Sequence, residues 1–320
     1  MAGSTAGLVP GRTILARDPR ALPVGFSGHQ VVQPRRGRID VAGHEASKNA
    51  DCLDPGCSDT GSNQTMESFT KYAGLDGAVV VVTGGATGIG AAIVETFVRQ
   101  GSHVLFLDIN SEAAGELIAR LEPLAKIGPE FVYADLKELQ LLKGTIGSIQ
   151  QKAGPIRVLV NNAANDERHE MEDVTPEYWR ERLATNLDHY FFCIQAAVPA
   201  MEAGGGGSIV NLGSCVFRLG FPGLPAYTTA KAAIEGLARG LARTLGPRNI
   251  RINCVLPGFI RTKRQVDRWL TPELERAILE GQCLKRFIEP EEVANLVAFL
   301  ASDDARSCTN QVFVIDAGWS

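Results

Sequence analysis

Short apolar runs separated by segments with a helical period constrain the fold of this chain more than any other feature. The first run, Ala78-Val-Val-Val-Val-Thr83, is continuous and rich in β-branched residues, as expected of a strand buried on both faces. Six further runs follow, at 103–107, 131–134, 157–160, 208–212, 250–255 and 311–315. Alternation of strands and helices is typical of a parallel sheet covered on both faces. The sequence therefore predicts an α/β fold with a single Rossmann-type, doubly wound parallel sheet of about seven strands.

Two segments of this pattern have their own features. Thr175-Pro176-Glu177 is a strong helix start, and the helix that follows is predicted to continue to about Met201. Residues 259–288 break the alternation and are predicted to form a flap with short helices. Thr271-Pro272-Glu273 marks the start of one of them.

Polar or glycine-rich signatures follow the predicted strands. They are Gly84–Gly90, Asp108, Asp135, Asn161, Ser214 and Pro257-Gly258. Open α/β sheets bind ligands beyond the carboxyl ends of their strands. The coincidence of these signatures with one edge of the sheet predicts a ligand site there.

The glycine stretch joins a strand to a helix. Glycines permit a tight turn and let backbone N–H groups approach a pyrophosphate at the positive end of the helix. Asp108 lies where an acid that binds an adenosine ribose is expected, and its charge would repel a 2′-phosphate. Because Thr87 is not basic and no Arg or Lys adjoins Asp108, NAD is favoured over NADP.

Tyr227 and Lys231 are four residues apart in a predicted helix from Pro225 to Gly246, so they share one face. A free tyrosine has a pKa of about 10, and a nearby positive charge lowers it. The pair is therefore suited to general acid–base chemistry. The spacing alone is equally compatible with a solvated surface pair, and Ser214, thirteen residues earlier at a strand end, favours the catalytic interpretation.

Composition excludes several functional classes. The 320 residues carry a net charge of −4, which gives no electrostatic reason to expect nucleic acid as a partner. No apolar run reaches the roughly 18 residues that a membrane-spanning helix needs. The seven cysteines are scattered and lack Cys-x-x-Cys spacing, so neither a disulfide framework nor a metal site is expected. Cys52 and Cys57 have no second pair of ligands at zinc-site spacing.

Residues 1–70 differ from the rest of the chain. They are rich in Gly, Pro, Ser, Asp and Asn, show no sustained helix or strand period, and are predicted to be a disordered extension. Their Arg-rich start leaves a mitochondrial targeting segment open. Met66 is a second plausible start, so an over-extended gene model is a further alternative. Residues 71–320 are predicted to form the NAD-binding domain.

As a set, the motifs resemble those of the short-chain dehydrogenase/reductase family. The resemblance runs from about Gly77 to Ser320 and rests on the motifs in order: Thr83-Gly84-x-x-x-Gly88-x-Gly90, Asn161-Asn162-Ala163, Ser214, Tyr227-x-x-x-Lys231 and Pro257-Gly258. Ala164 and Ala317 stand where glycine is commoner in the family, and both are small-for-small changes.

The resemblance implies a role for each of four residues. Tyr227 is the expected general acid–base, and Lys231 is expected to lower its pKa and to hold the nicotinamide ribose. Ser214 is expected to hydrogen-bond the substrate oxygen. Asn186 is expected to position a water on Lys231, although a helix-interior amide bonded to backbone is the alternative. The expected cofactor-binding residues are Gly84, Thr87, Gly88, Ile89, Gly90, Asp108, Asp135, Leu136, Asn162, Tyr227, Lys231, Pro257, Gly258, Ile260 and Thr262.

The substrate is less constrained. The stretch 165–169 and the flap resemble those of the bacterial sugar dehydrogenases of this family, which oxidise an aldose such as D-xylose at its anomeric carbon. Asn165, Arg168, Phe217 and Tyr227 are the expected substrate residues. The apolar residues between Ser214 and Tyr227 equally favour a 3-oxoacyl or other ketone reductase. A catalytically inactive dinucleotide-binding protein is the alternative from another class.

The remaining expectations concern partners and location. We expect a small-molecule substrate and a homo-oligomer, a tetramer or a dimer, with neither nucleic acid nor membrane as a partner. The expected location is cytoplasmic, or mitochondrial if residues 1–65 act as a transit segment.

Overall fold

A seven-stranded sheet forms the centre of the structure, a computed structural model that describes residues 69–320. Its strands are β1 (Val79–Thr83), β2 (His103–Asp108), β3 (Glu130–Tyr133), β4 (Ile156–Asn161), β5 (Gly207–Leu212), β6 (Ile250–Pro257) and β7 (Val312–Ile315). They lie in the order β3-β2-β1-β4-β5-β6-β7, and every neighbouring pair is parallel. The predicted sheet is confirmed. The predicted extension and Cys52 and Cys57 lie outside the described residues, apart from positions 69 and 70.

Helices connect the strands and cover both faces of the sheet. They are α1 (Gly88–Gln100), α2 (Ser111–Leu121), α3 (Leu139–Ala153), α4 (Pro176–Leu183), α5 (His189–Ala203), α6 (Val216–Leu219), α7 (Pro225–Leu245), α8 (Lys263–Arg268), α9 (Pro272–Gly281) and α10 (Pro290–Ala301). The flap contains α8 and α9, as predicted. Thr175 caps α4 and Thr271 caps α9 through their side chains.

The single helix predicted from Thr175 to about Met201 is wrong in one respect. A π-helical turn, Ala184–Asp188, separates α4 from α5. In a π turn, each hydrogen bond joins residues that are five rather than four positions apart, and such a turn frequently marks a functional site. Asn186 lies inside this turn and is buried.

The core consists of two apolar clusters, one on each face of the sheet. Along β1, Val80 and Val82 belong to the cluster under α1 and α10, whereas Val79 and Val81 belong to the cluster under α3, α5 and α7. This alternation follows from the period of two along a strand. Because β1 is buried at every position, its two faces need apolar residues throughout, which explains the continuous run in the sequence.

The sheet order reverses beside β1, which pairs with β2 on one side and with β4 on the other. The connections that follow β1 and β4 run to opposite sides of this point in the sheet. A crevice opens at such a switch point. None of the helices within residues 69–320 has both the length and the apolar character required to cross a bilayer.

Candidate active site

A cavity of about 1100 Å³ opens at the carboxyl ends of the strands. The loops after β1, β4 and β5 contribute Gly84, Asn162 and Ser214 to its walls, and the last residues of β2 and β6 contribute Asp108 and Pro257. Its volume lies just above the range usual for small-molecule sites. Across residues 69–320, no three His, Cys, Asp or Glu side chains are grouped so that they could hold a metal ion.

All the predicted cofactor residues line this cavity. They are Gly84, Thr87, Gly88, Ile89, Gly90, Asp108, Asp135, Leu136, Asn162, Tyr227, Lys231, Pro257, Gly258, Ile260 and Thr262.

The glycine turn between β1 and α1 has the geometry that a pyrophosphate requires. Gly84 and Gly88 have φ angles of 64° and 54°, in the left-handed region that favours glycine. A Cβ at Gly90 would lie 1.8 Å from the carbonyl oxygen of Gly84, so only glycine fits there. Thr87 makes no side-chain cap to α1, which leaves the first N–H groups of the helix facing the cavity. The turn therefore fits an anionic group at a helix N-terminus.

Asp108 ties the end of β2 to the glycine turn. Its Oδ2 accepts a hydrogen bond from the Ala86 N–H at 3.0 Å, and its Oδ1 accepts from the N–H groups of Ile109 and Asn110. A carboxylate has about four acceptor sites, so Asp108 retains one for a hydroxyl in the cavity. Arg120, which sequence reasoning did not identify, also lines this region, where it forms an ion pair with Glu95.

Ser214, Tyr227 and Lys231 converge on the other half of the cavity. The side chain of Ser214 is near enough to the Tyr227 hydroxyl to lower the pKa of that phenol. Lys231 Nζ lies 5.6 Å from the centre of the Tyr227 ring and is buried. The helix α7 thus presents the phenol and the ammonium on one face, as their spacing predicts.

The pKa values of this pair differ from the prediction in direction. Desolvation by the surrounding protein, followed by the charge of Asp166, raises the pKa of Tyr227, whereas the hydrogen bond with Ser214 lowers it. Burial lowers the pKa of Lys231 to about 7, against the attraction of Asp166. The net direction is therefore opposite to the expected lowering of the Tyr227 pKa, because the loss of water is the largest effect on the phenol.

Asn186 does not line the cavity. Its side-chain oxygen accepts a hydrogen bond from the Asn165 N–H at 2.7 Å, and its Nδ2 donates to the Arg182 carbonyl at 2.9 Å. The amide is thus bonded to backbone at both ends, which was the alternative interpretation. In this position it fixes the start of the loop after β4, which carries Asn165 and Asp166.

The predicted substrate residues divide into two groups. Asn165 and Arg168 line the cavity, and Arg168 stacks on Trp269 of the flap at 4.5 Å. Phe217, in contrast, does not line the cavity. It lies on the short helix α6, where Arg218 packs over its ring, and other residues on and beside α6 line the cavity. These are Cys215, Val216, Leu219, Phe221 and Leu224, together with Trp319 from the C-terminus.

Sequence reasoning did not identify a group of polar contacts that we call the flap cluster: Arg264, Gln265 and Arg268 on α8 with Asn165, Asp166 and Glu167 on the loop after β4. Arg264 donates to Asp166 and to Asn165, both at 3.0 Å, and to Glu167 at 3.3 Å. Gln265 also donates to Asp166, and Arg268 to Glu167. The flap is held against this loop at the edge of the cavity.

Comparison with known proteins gives consistent results. A family model described as enoyl-(acyl carrier protein) reductase matches residues 84–320. The chain is 50% identical over 252 residues to D-xylose 1-dehydrogenase of Caulobacter vibrioides, covering 79% of this chain and 99% of the relative. It is 47% identical to a probable galactose dehydrogenase of Rhizobium meliloti, covering 78% of this chain and 97% of the relative.

Among solved structures, one similar protein is a 7α-hydroxysteroid dehydrogenase complexed with NADH and 7-oxo glycochenodeoxycholic acid. The TM-score is 0.73 at 30% identity, and the match covers 77% of this chain and 95% of that one.

Proposed function

The chain belongs to the short-chain dehydrogenase/reductase family, and on that premise we propose that it is an NAD-dependent dehydrogenase that oxidises an aldose or a small polyol. The observation that carries the proposal is the convergence of Ser214, Tyr227 and Lys231 on one cavity with the glycine turn and Asp108. One half of the cavity fits a dinucleotide, and the other half presents an acid–base pair.

The choice of NAD rests on Asp108. Its carboxylate accepts hydroxyl donors and repels a 2′-phosphate, which is a physical reason to favour NAD. Arg120 lines the same region, but its guanidinium is paired with Glu95. Comparing initial rates with NAD and NADP tests this choice directly. A preference for NADP would show that Arg120 outweighs Asp108.

When bound, the nicotinamide supplies a hydride acceptor and, in its oxidised form, a positive charge beside the site. The chain's own residues orient the substrate and move the proton. Ser214 donates to or accepts from the substrate oxygen, and Tyr227 takes the hydroxyl proton in oxidation or gives it in reduction. The raised pKa of Tyr227 keeps the phenol protonated, so the phenol must lose this proton before it can take the substrate proton in oxidation. The ammonium of Lys231 stabilises the phenolate in that state.

The substrate class rests on the polar side of the cavity. Asn165, Arg168 and the flap cluster give hydroxyl groups fixed hydrogen-bond partners, as a polyhydroxylated ligand requires. The two sugar dehydrogenases at 50% and 47% identity support the same class.

A 3-oxoacyl or other ketone reductase is the second candidate. Phe221, Leu224 and Trp319 form an apolar wall in the same cavity, and the matching family model is described as enoyl-(acyl carrier protein) reductase, a type of enzyme with an acyl substrate. We also propose a homo-oligomer, a tetramer or a dimer, in line with the family resemblance.

The test is a panel of aldoses and polyols with NAD, and of ketones and 3-oxoacyl thioesters with NADH, followed at the nicotinamide absorbance. Turnover of an aldose supports the proposal, and turnover of ketones alone supports the second candidate. Bound NAD without any turnover would instead indicate a dinucleotide-binding protein. In the active case Tyr227→Phe should abolish turnover with NAD affinity near wild type, whereas Tyr133→Phe, at an exposed position, should change neither.

A further inference from the structure

Lys231 has a second phenol as its neighbour, and sequence reasoning did not identify it. Its ammonium donates to the hydroxyl oxygen of Tyr190 at 3.0 Å and to the carbonyl oxygen of Leu212 at 2.7 Å. Tyr190 is fully buried, and its own hydroxyl donates to the same Leu212 carbonyl at 2.9 Å. The three groups therefore form a closed triangle that joins α7, α5 and β5.

The direction of each bond in the triangle follows from the chemistry of the groups. An ammonium can only donate, and a carbonyl can only accept. Because Tyr190 gives its one proton to Leu212, its oxygen faces Lys231 as an acceptor. The triangle uses two of the three N–H groups of Lys231 and leaves one for the cavity.

We propose that Tyr190 is a positioning residue, which holds the ammonium of Lys231 at the side of the Tyr227 ring and keeps it protonated during turnover. The proposal rests on the proposed function for its catalytic consequence, but the contact itself does not depend on the substrate. Lys231 Nζ lies 5.3 Å from the centre of the Tyr190 ring and 5.6 Å from that of Tyr227, so it lies between the two phenols.

The surroundings of Lys231 explain why such an acceptor matters. Burial disfavours the charged ammonium and lowers the pKa of Lys231 to about 7. Because Lys231 therefore loses its proton near neutral pH, a hydrogen bond that stabilises the ammonium changes the protonated fraction in that range. The other titratable groups around Lys231 are Asp166 on the loop after β4, Cys254 on β6, Tyr227 on α7 and His189 on α5. Burial also lowers the pKa of His189, to about 3, so this ring is neutral and adds no compensating charge.

The test compares Tyr190→Phe, which removes one hydroxyl, with Tyr133→Phe, which removes an exposed one. The direct readout is the ¹³Cε resonance of Lys231 in lysine-labelled protein as a function of pH, assigned by its absence in Lys231→Met. A hydrogen bond to a charged group favours that form by about tenfold or more, which corresponds to a shift of about one pKa unit. We therefore expect the midpoint in Tyr190→Phe to fall by about one pH unit, and that in Tyr133→Phe to stay unchanged.

The sign of the kinetic effect follows from the same change. Tyr227 needs the ammonium, so activity is lost as the pH rises through the pKa of Lys231. The alkaline limb of kcat/KM should move to lower pH by about one unit in Tyr190→Phe, with a loss of about fivefold at pH 7 that approaches about tenfold at higher pH. A purely structural role would lower activity at all pH values without moving the limb.

Two outcomes would overturn the proposal. One is an unchanged Lys231 midpoint in folded Tyr190→Phe. The other needs no variant: in the wild-type protein, the ¹³Cζ resonance of Tyr190 should shift over the same pH interval in which Lys231 titrates, and a constant resonance there excludes the contact. Both readouts remain valid if no sugar is turned over, so failure of the proposed function is distinguishable.

Discussion

Removal of the Arg264 guanidinium tests whether the flap cluster orders the substrate side of the cavity. Arg264 makes three hydrogen bonds to the loop after β4 and is 39% exposed. Exposed ion pairs contribute about 0–1 kcal/mol each, so after discounting for solvent the three together are worth about 1–2 kcal/mol. Since 1.4 kcal/mol corresponds to tenfold, Arg264→Met should raise the KM for the sugar by about 5- to 30-fold. The loss falls on KM because α8 lines the substrate half of the cavity, whereas the proton-transfer pair lies on α7.

The chain offers a matched control one residue earlier. Lys263 is 89% exposed and pairs with Asp267 of its own helix, so Lys263→Met removes the same charge from α8 without touching the loop. Steady-state kinetics with the preferred aldose at saturating NAD should show a KM within twofold of wild type for Lys263→Met. If the two variants have the same KM, the cluster does not order the site and the reasoning is refuted. If Arg264→Met raised the KM for NAD as much as the KM for the sugar, the effect would lie at the cofactor side of the cavity instead.

Two further predictions concern the cofactor half. Asp108→Asn keeps an acceptor oxygen but removes the charge that repels a 2′-phosphate, so the ratio of kcat/KM for NAD to that for NADP should fall by about tenfold. The control is Glu112→Gln, which removes a charge from α2. An unchanged ratio in Asp108→Asn would mean that Asp108 does not determine cofactor choice. Gly90→Ala would place a Cβ 1.8 Å from the Gly84 carbonyl oxygen, and overpacking of this kind costs about 1–3 kcal/mol. NAD affinity measured by calorimetry should fall at least tenfold and the Tm by several degrees, whereas Gly115→Ala, an open position on α2, should leave NAD affinity unchanged.

The features that were predictable from the sequence are local ones. The strand runs, the glycine turn and the helix starts at Thr175 and Thr271 each carry their signal within a few residues. The placement of the site followed from a general property of parallel sheets, whose strand ends meet at one edge. This is why the sequence could indicate residues that line the cavity.

The features that could not be predicted depend on distant or subtle contacts. Arg264 reaches Asp166 and Glu167 from far along the chain, and no pattern in either segment indicates the pairing. The π turn at Asn186 adds a residue to a helix without changing its composition. The direction of the Tyr227 pKa depends on burial, which the spacing of Tyr227 and Lys231 does not report. Phe217 does not line the cavity because the turn of α6 decides which of several apolar neighbours faces it.

The pairing of β1 with β4 also has a consequence for how the chain folds. Val79 pairs with Ile156, although two complete strand–helix units lie between them in the sequence. Such long-range pairings are expected to form late in folding, because the entropy cost of closing the intervening chain is incurred before the strand contacts can offset it. The crevice between these strands is therefore made of segments that meet only when the two halves of the sheet join. A dinucleotide that binds across this junction binds the native state alone, and it stabilises the chain against separation of the halves in proportion to its concentration.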